Sequence, residues 1–538
     1  MARKGTAKGR VAAVRRWVVG GVVVAAVVAV VGVWLLARGG GGGEAEVGDR
    51  RAAALAFAPA SAEVVFELDA QGGSAQGARL RELSRTFLAA RFAADGVRSA
   101  MRGIGLDADA DLPSLLGGPV VAWGPASAVR GLGASVAGLA LDLPALAKAG
   151  VTAAVVGRSA DDVGAVFRRA VDEERLKRIA APAGGVEGYA LASAGGAGAS
   201  AIYGRRDAEV VLGANAAAVA KAFATRDASA GLAPRTFDER LGPLARVPAL
   251  VKAAGPARPL LASRADDVPW VDALREGSLA VTLQDPGVRL RVHLATDPAA
   301  VTPEQLPLAT GAQPPRPAPG ARPISLALRD PAQAVKFFDD NKNVLDLPFA
   351  KSLADALDTL DSVKGPLKTF GRIDVDDILD GLTGTATVTP EGGDHLALRA
   401  EITTGGDLTS ALNRLAAVPD VALDIAGVEL NVKRDGEAYI ITDHGKAVVK
   451  LAVLDGILTV TNDQAASLRA IAARRPQATA TRGALSFHLG AKALQDELIA
   501  RLHLPALSRL VLGGFGDVDG GLRVERGGAD LDATLALG

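Results

Sequence analysis

Asp107, Asp109 and Asp111 come nearest, by type and spacing, to a known chemistry. A D-x-D-x-D run opens a calcium loop of the EF-hand kind. That loop also needs glycine at its sixth position and glutamate at its twelfth, to turn around the ion and close on it. Those positions hold Leu112 and Gly118, so the run cannot wrap an ion in that way. It reads instead as carboxylates at the N-terminus of a short helix, where free N–H groups and the helix dipole favour negative charge. The five histidines, His293, His395, His444, His488 and His503, include no close pair and no H-E-x-x-H motif. No metal site is expected from them.

Other chemistries fail on spacing. There is no G-x-S-x-G elbow to expose a nucleophilic serine and no Walker A loop. Gly513–Gly520 (GGFGDVDG) resembles a phosphate loop, but from Gly514 the G-x-G-x-x-G pattern ends on Asp519 and leads into a strand. The chain has no cysteine, which removes thiol catalysis, thiolate metal sites and disulfides. The sequence therefore predicts no cofactor and no enzyme activity. Trp123, Tyr189, Tyr203 and Trp270 stand out in a chain with only 4% aromatic residues. If exposed, they are candidates for partner or ligand contact; the alternative is that they fill a core of small neighbours.

The elements that would position these residues repeat. Ser61–Asp69, an apolar run bounded by polar residues, reads as a strand, residues 77–102 carry apolar residues at helical spacing, and Gly105–Gly124 reads as a turn, a short helix and a strand. Ala201–Asn215 is a hairpin turning at Arg206–Asp207. Ser278–Thr296 is a second hairpin, turning at Asp285-Pro286-Gly287. Five blocks then recur in the same order: Ile324–Asp330, Ile373–Val388, Leu396–Ala416, Leu451–Asp463 and Gly520–Leu537. The pattern predicts a duplicated α+β unit, 55–300 and 324–538, joined by a proline-rich linker, 301–323. Each unit is expected to be a mainly antiparallel sheet with helices packed on one face.

The lead strand at Ser61, the GLDADADLPSLLGG segment (Gly105–Gly118) and the hairpin running from Tyr203 through Asp207 to VVLGAN resemble the DUF3352 family of bacterial proteins. The resemblance covers most of 55–538. It implies an extracytoplasmic, envelope-located protein and carries over no catalytic residue.

Trp17–Ala37 is 21 residues without a charge. As a helix it would reach about 32 Å, against roughly 30 Å of bilayer hydrocarbon. The sequence thus predicts a basic cytoplasmic tail (1–16), a transmembrane signal-anchor (17–37) and a glycine-rich spacer (38–54). The bulk of the chain would lie outside the cell membrane, single-pass, with the membrane itself as one partner. Residues 1–38 hold seven basic groups and no acid, so the remainder carries 53 basic against 60 acidic residues, net −7. That balance speaks against nucleic-acid binding, which needs a dense basic face. The functional expectation is a binding or scaffold protein of the cell envelope with an envelope protein or lipid as partner. The alternatives are a carrier or sensor of an apolar ligand and an envelope hydrolase.

Overall fold

The computed structural model describes residues 44–537 apart from 70–73, 87–97, 99–100, 128–148, 193–200, 259–267, 286, 316–323, 342–373, 393–394, 418–423, 426–427, 444–445, 475–481 and 496–513. The first unit supplies strands β1 (Val64–Leu68), β2 (Val120–Gly124), β3 (Thr152–Val156), β4 (Leu176–Ile179), β5 (Glu187–Leu191), β6 (Ile202–Arg206), β7 (Glu209–Gly213), β8 (Val251–Pro256), β9 (Leu274–Gln284) and β10 (Gly287–Thr296). The second supplies β11 (Ile324–Arg329), β12 (Thr385–Gly392), β13 (His395–Glu401), β14 (Asp424–Ile425), β15 (Val428–Asp435), β16 (Ala438–Asp443), β17 (Lys446–Leu454), β18 (Ile457–Thr461), β19 (Leu485–Leu489), β20 (Phe515–Glu525) and β21 (Gly528–Leu537).

Every pairing among these strands is antiparallel. In the first unit the neighbours run β4-β5-β6-β7-β3-β2-β1-β8-β9-β10. In the second they run β15-β16-β17-β18-β13-β12-β11-β19-β20-β21, with the two-residue β14 on the outside of β15. The two orders are the same order. β10 then pairs with β21 over nine residue pairs, Gly287 opposite Ala536 through Ala295 opposite Gly528, and the units become one continuous sheet.

This corrects the expectation of two separate sheets. The last hairpin of each unit ends on a strand with a free edge, and each edge satisfies its main-chain groups on the other.

Helices cover both faces, not one. In chain order they include α1 (Glu44–Leu55), α2 (Ala75–Thr86), α3 (Leu112–Leu115), α4 (Ala160–Asp172), α5 (Ala216–Asp227), α6 (Pro234–Leu241), α7 (Pro331–Asn341), α8 (Val375–Asp380), α9 (Gly405–Ala416) and α10 (Leu468–Ala472), and a further single helical turn, Pro269–Asp272, precedes β9. Successive strand residues point to opposite faces. Val210 of β7 packs with Val163, Val166 and Phe167 of α4, while its neighbour Val211 packs with Val219 and Phe223 of α5. The second unit repeats this: Ala400 faces Leu408 and Leu412 of α9, and Ala397 faces Leu468 and Ile471 of α10. In the first unit, small Ala and Val residues on both sides of β3 and β7 leave little polar surface on either, so a helical layer is needed on each to keep them from water.

Two expectations about the N-terminal region also change. Residues 44–54, read as the end of a flexible spacer, are helical in α1. Its alanines, leucine, glutamates and arginines are good helix formers, and Ala54 and Leu55 are fully buried. Arg51 of α1 holds Glu67 of β1 at 2.9 Å and Asp238 of α6 at 2.8 Å, tying the helix down. The expected single-pass membrane placement is likewise corrected. Among the described residues no helix is long and apolar enough to cross a membrane. The longest, α4, has 13 residues, about 20 Å at ~1.5 Å per residue, short of the ~30 Å a span needs. Trp17–Ala37, on which the expected signal-anchor and the membrane partner rested, lies outside the described residues.

The segment after β10 folds onto the seam. Val301, Leu306 and Leu308 are buried with Ala273 from the first unit and Ala334, Ala484, Val524 and Ala529 from the second. Thr302 and Gln305 form a capping box around a short 3₁₀ turn.

Candidate functional site

The seam between β10 and β21 gathers polar side chains that the sequence scatters. Strand alternation sends Val288 and Leu290 of β10 and Leu535 of β21 to the apolar face, into a core shared by both units. Arg289, Arg291 and His293 therefore point the other way, and so do Asp530 and Asp532 directly or diagonally opposite them. The Arg289 guanidinium grips Asp532 with both its Nε, at 2.7 Å, and an Nη. Arg291 lies 3.8 Å from the same carboxylate. His293 Nδ1 sits 2.7 Å from Asp530 Oδ1. Two strands beyond β21, His488 of β19 repeats the motif, its Nδ1 2.8 Å from Asp519 of β20. The hydrogen bond to Asp519 holds His488 above the usual histidine range, and the nearby Asp517 carboxylate adds to this against partial burial.

The seam is built on an internal two-fold relation. Aligning the hairpin β9–β10 on β20–β21 places Gly287 on Gly528, Arg291 on Asp532 and Leu294 on Leu535. Arg291 and Asp532, equivalent residues, are each other's partners across the seam, so the pseudo-dyad passes between them. The close approach obeys the same relation. A Cβ on Gly287 would lie 2.0 Å from the Leu535 carbonyl oxygen, and one on Gly528 would lie 2.4 Å from the Leu294 carbonyl oxygen. Each unit thus keeps a glycine where the other unit's main chain presses in.

An open cleft of about 320 Å³ lies beside the seam on the first unit's side. α6 and β9 supply Thr236, Glu239, Arg240 and Glu276, and His293 closes one wall. Arg240 is fully engaged: it donates to Glu276 at 2.9 Å and to the carbonyls of Ala62 and Glu63 at 2.8 and 2.6 Å. Asp530 holds Nδ1 of His293, and the ring's Nε2 comes within 3.9 Å of the point where a Cβ on Gly242 would stand. Ser278, His293 and Asp530 stand abreast on β9, β10 and β21, on one face. The Ser278 hydroxyl, however, donates to the Leu241 carbonyl at 2.9 Å and is buried. The row has an oriented imidazole but no bond from nucleophile to base.

The residues singled out in the sequence lie elsewhere. Trp123, Tyr189 and Tyr203 are buried, and Trp270 is half-buried against the core behind the seam. Tyr189 and Tyr203 sandwich Phe167, with ring centroids 4.6 and 5.7 Å from it, and Tyr203 donates to the Ile104 carbonyl at 2.7 Å. The two tyrosines build the core and offer no surface.

The D-x-D-x-D run is also structural. Asp107 accepts from the N–H groups of Asp109 and Ala110, both at 2.8 Å, and the Ala110 bond leads in holding its carboxyl below the usual range. Asp111 stands at the N-cap of α3 but makes no side-chain cap; it is fully buried between Arg169 at 2.5 Å and Arg175 at 2.9 Å. Among the described residues no group of three or more His, Asp or Glu side chains is placed to hold a metal.

Comparison of the chain with protein-family models, curated proteins and solved structures returns no match. The likeness to DUF3352 rests on the sequence motifs alone.

Proposed function

We propose that this protein is a non-catalytic binding or scaffold protein that presents two like contacts on one rigid body. One observation carries the reading: the seam fuses two equivalent modules end to end, so that equivalent strands lie towards the two outer ends of the sheet. β4 carries Lys177 and Arg178 opposite Ala190 and Tyr189. β15 carries Lys433 and Arg434 opposite Ile440 and Tyr439. All four basic side chains are exposed. Two like contacts at a fixed separation raise avidity for a partner with repeated acidic sites. Lysine near a sheet edge also discourages pairing with stray strands. The partner expected is another protein. Lysine-directed cross-linking in the native host, read by mass spectrometry, is expected to join Lys177 and Lys433 to the same partner. Links from one end only, or to no common partner, would sink the reading.

A hydrolase is the second reading, favoured by the Ser278–His293–Asp530 row beside the cleft. It requires Ser278 to leave the Leu241 carbonyl. Labelling by a fluorophosphonate probe, abolished in Ser278→Ala, would establish it; an unlabelled protein removes it.

A further inference from the structure

We infer that the seam is a charge-coded recognition surface: the basic edge of the first unit, β10, fits the acidic edge of the second, β21, and neither edge fits a copy of itself. This does not depend on the binding reading above. Because β10 and β21 are equivalent strands paired antiparallel about Arg291 and Asp532, the same register is open to two first units through β10, or to two second units through β21. Main-chain hydrogen bonds do not distinguish these pairings, because the antiparallel ladder is the same in each. The apolar face does not distinguish them either: Val288 and Leu290 on one strand and Leu531 and Leu535 on the other offer similar rows.

The polar face does. A β10–β10 pairing in this register sets Arg291 against Arg291 and Arg289 against His293. A β21–β21 pairing sets Asp532 against Asp532. Like charges directly opposite destabilise a sheet, and opposite charges stabilise it. Only β10 with β21 places Arg291 opposite Asp532 and His293 opposite Asp530, with Arg289 reaching the diagonal Asp532. A duplicated module inherits two free edges of identical shape, each a template for unwanted pairing. Opposite sign on equivalent positions sends each edge to the other unit of the chain and repels its own kind.

The test uses the full chain and its thermal unfolding. Arg289→Asp with Arg291→Asp sets acid against acid. Asp530→Arg with Asp532→Arg sets base against base. Each pair of changes is expected to lower the melting temperature by about 3 °C or more. Combining all four restores opposite charges with the sides exchanged, and most of the lost melting temperature should return. At 1 M salt, where the screening length is only ~3 Å, the differences should shrink. Double variants that melt with the parent protein overturn the inference. So does a fourfold variant no more stable than the doubles.

Discussion

The two units share an order of strands and differ in what they place on equivalent positions. The difference is greatest at two sites. On the seam, Arg289 and Arg291 of the first unit stand where Asp530 and Asp532 stand in the second. In the acidic loop before the second strand, Asp111 of the first unit is buried between two arginines, while its counterpart Asp377 is exposed at the start of α8. Between β7 and β8 the first unit builds α5 and α6, and the cleft beside His293. The described counterpart in the second unit is α10, only five residues long. The fold is held by what both units keep, namely the pairing order and the paired glycines. Their separate identities reside in charge, which can change on an open face without disturbing the ladder.

The contrast between the loops should break first. Asp111→Asn takes the buried counter-charge from Arg169 and Arg175, which are partly exposed, and Arg175 keeps Glu173; losing charged hydrogen bonds of this kind typically costs about 1.5–3 kcal/mol. Asp377→Asn, on the surface, should stay within about 0.5 kcal/mol. Chemical denaturation of the two variants measures both. Equal losses would erase the distinction.

The glycines sharpen the likeness between the units. Gly287→Ala and Gly528→Ala each drive a Cβ into a carbonyl oxygen of the opposite unit. Each should cost about 1–3 kcal/mol, by comparable amounts, since the two contacts are related by the pseudo-dyad. A loss at only one of them would mean that the seam is not symmetric. Asp532→Asn weakens the Arg289 and Arg291 contacts together. On a partly exposed face this should cost no more than about 1 kcal/mol, falling with added salt.

The smallest effect is a pH dependence. His488 has a raised folded-state pKa. Its contribution is fully present below the unfolded value of about 6.5 and is lost as pH rises through the folded value. Stability should therefore decline slightly from mildly acid to mildly alkaline pH, and His488→Gln should remove that part of the slope. Identical slopes in parent and variant would refute it.

Much of the repeat is legible in the chain because hairpins are local. Asp207 and Asp455, both at positive φ, mark equivalent turns, and each lies between strands that alternate plainly. α4 begins at Ala160, where Ser159 caps it by accepting from the Asp162 N–H, and ends at Asp172. Glu174 takes a positive φ, and Leu176–Ile179 leaves the helix to become the outermost strand. The β10–β21 pairing is not legible from local pattern, because its partners lie some 240 residues apart in sequence and either strand alone reads as an ordinary half-exposed edge. The signal was present only as a pair: R-x-R-x-H on one strand and D-x-D on its equivalent. Rarity says nothing about side, so the aromatics could be read either as contacts or as core: Tyr189 and Tyr203 point inward, where they pack on Phe167.

Hydrogen–deuterium exchange, read on peptides covering β10 and β21, tests the seam most directly. If these two strands join the units, both peptides should be protected as strongly as β9 and β20, and the outermost strand β4 should exchange much faster. If β10 and β21 exchange at the rate of β4, the units are not joined through these strands and the account fails.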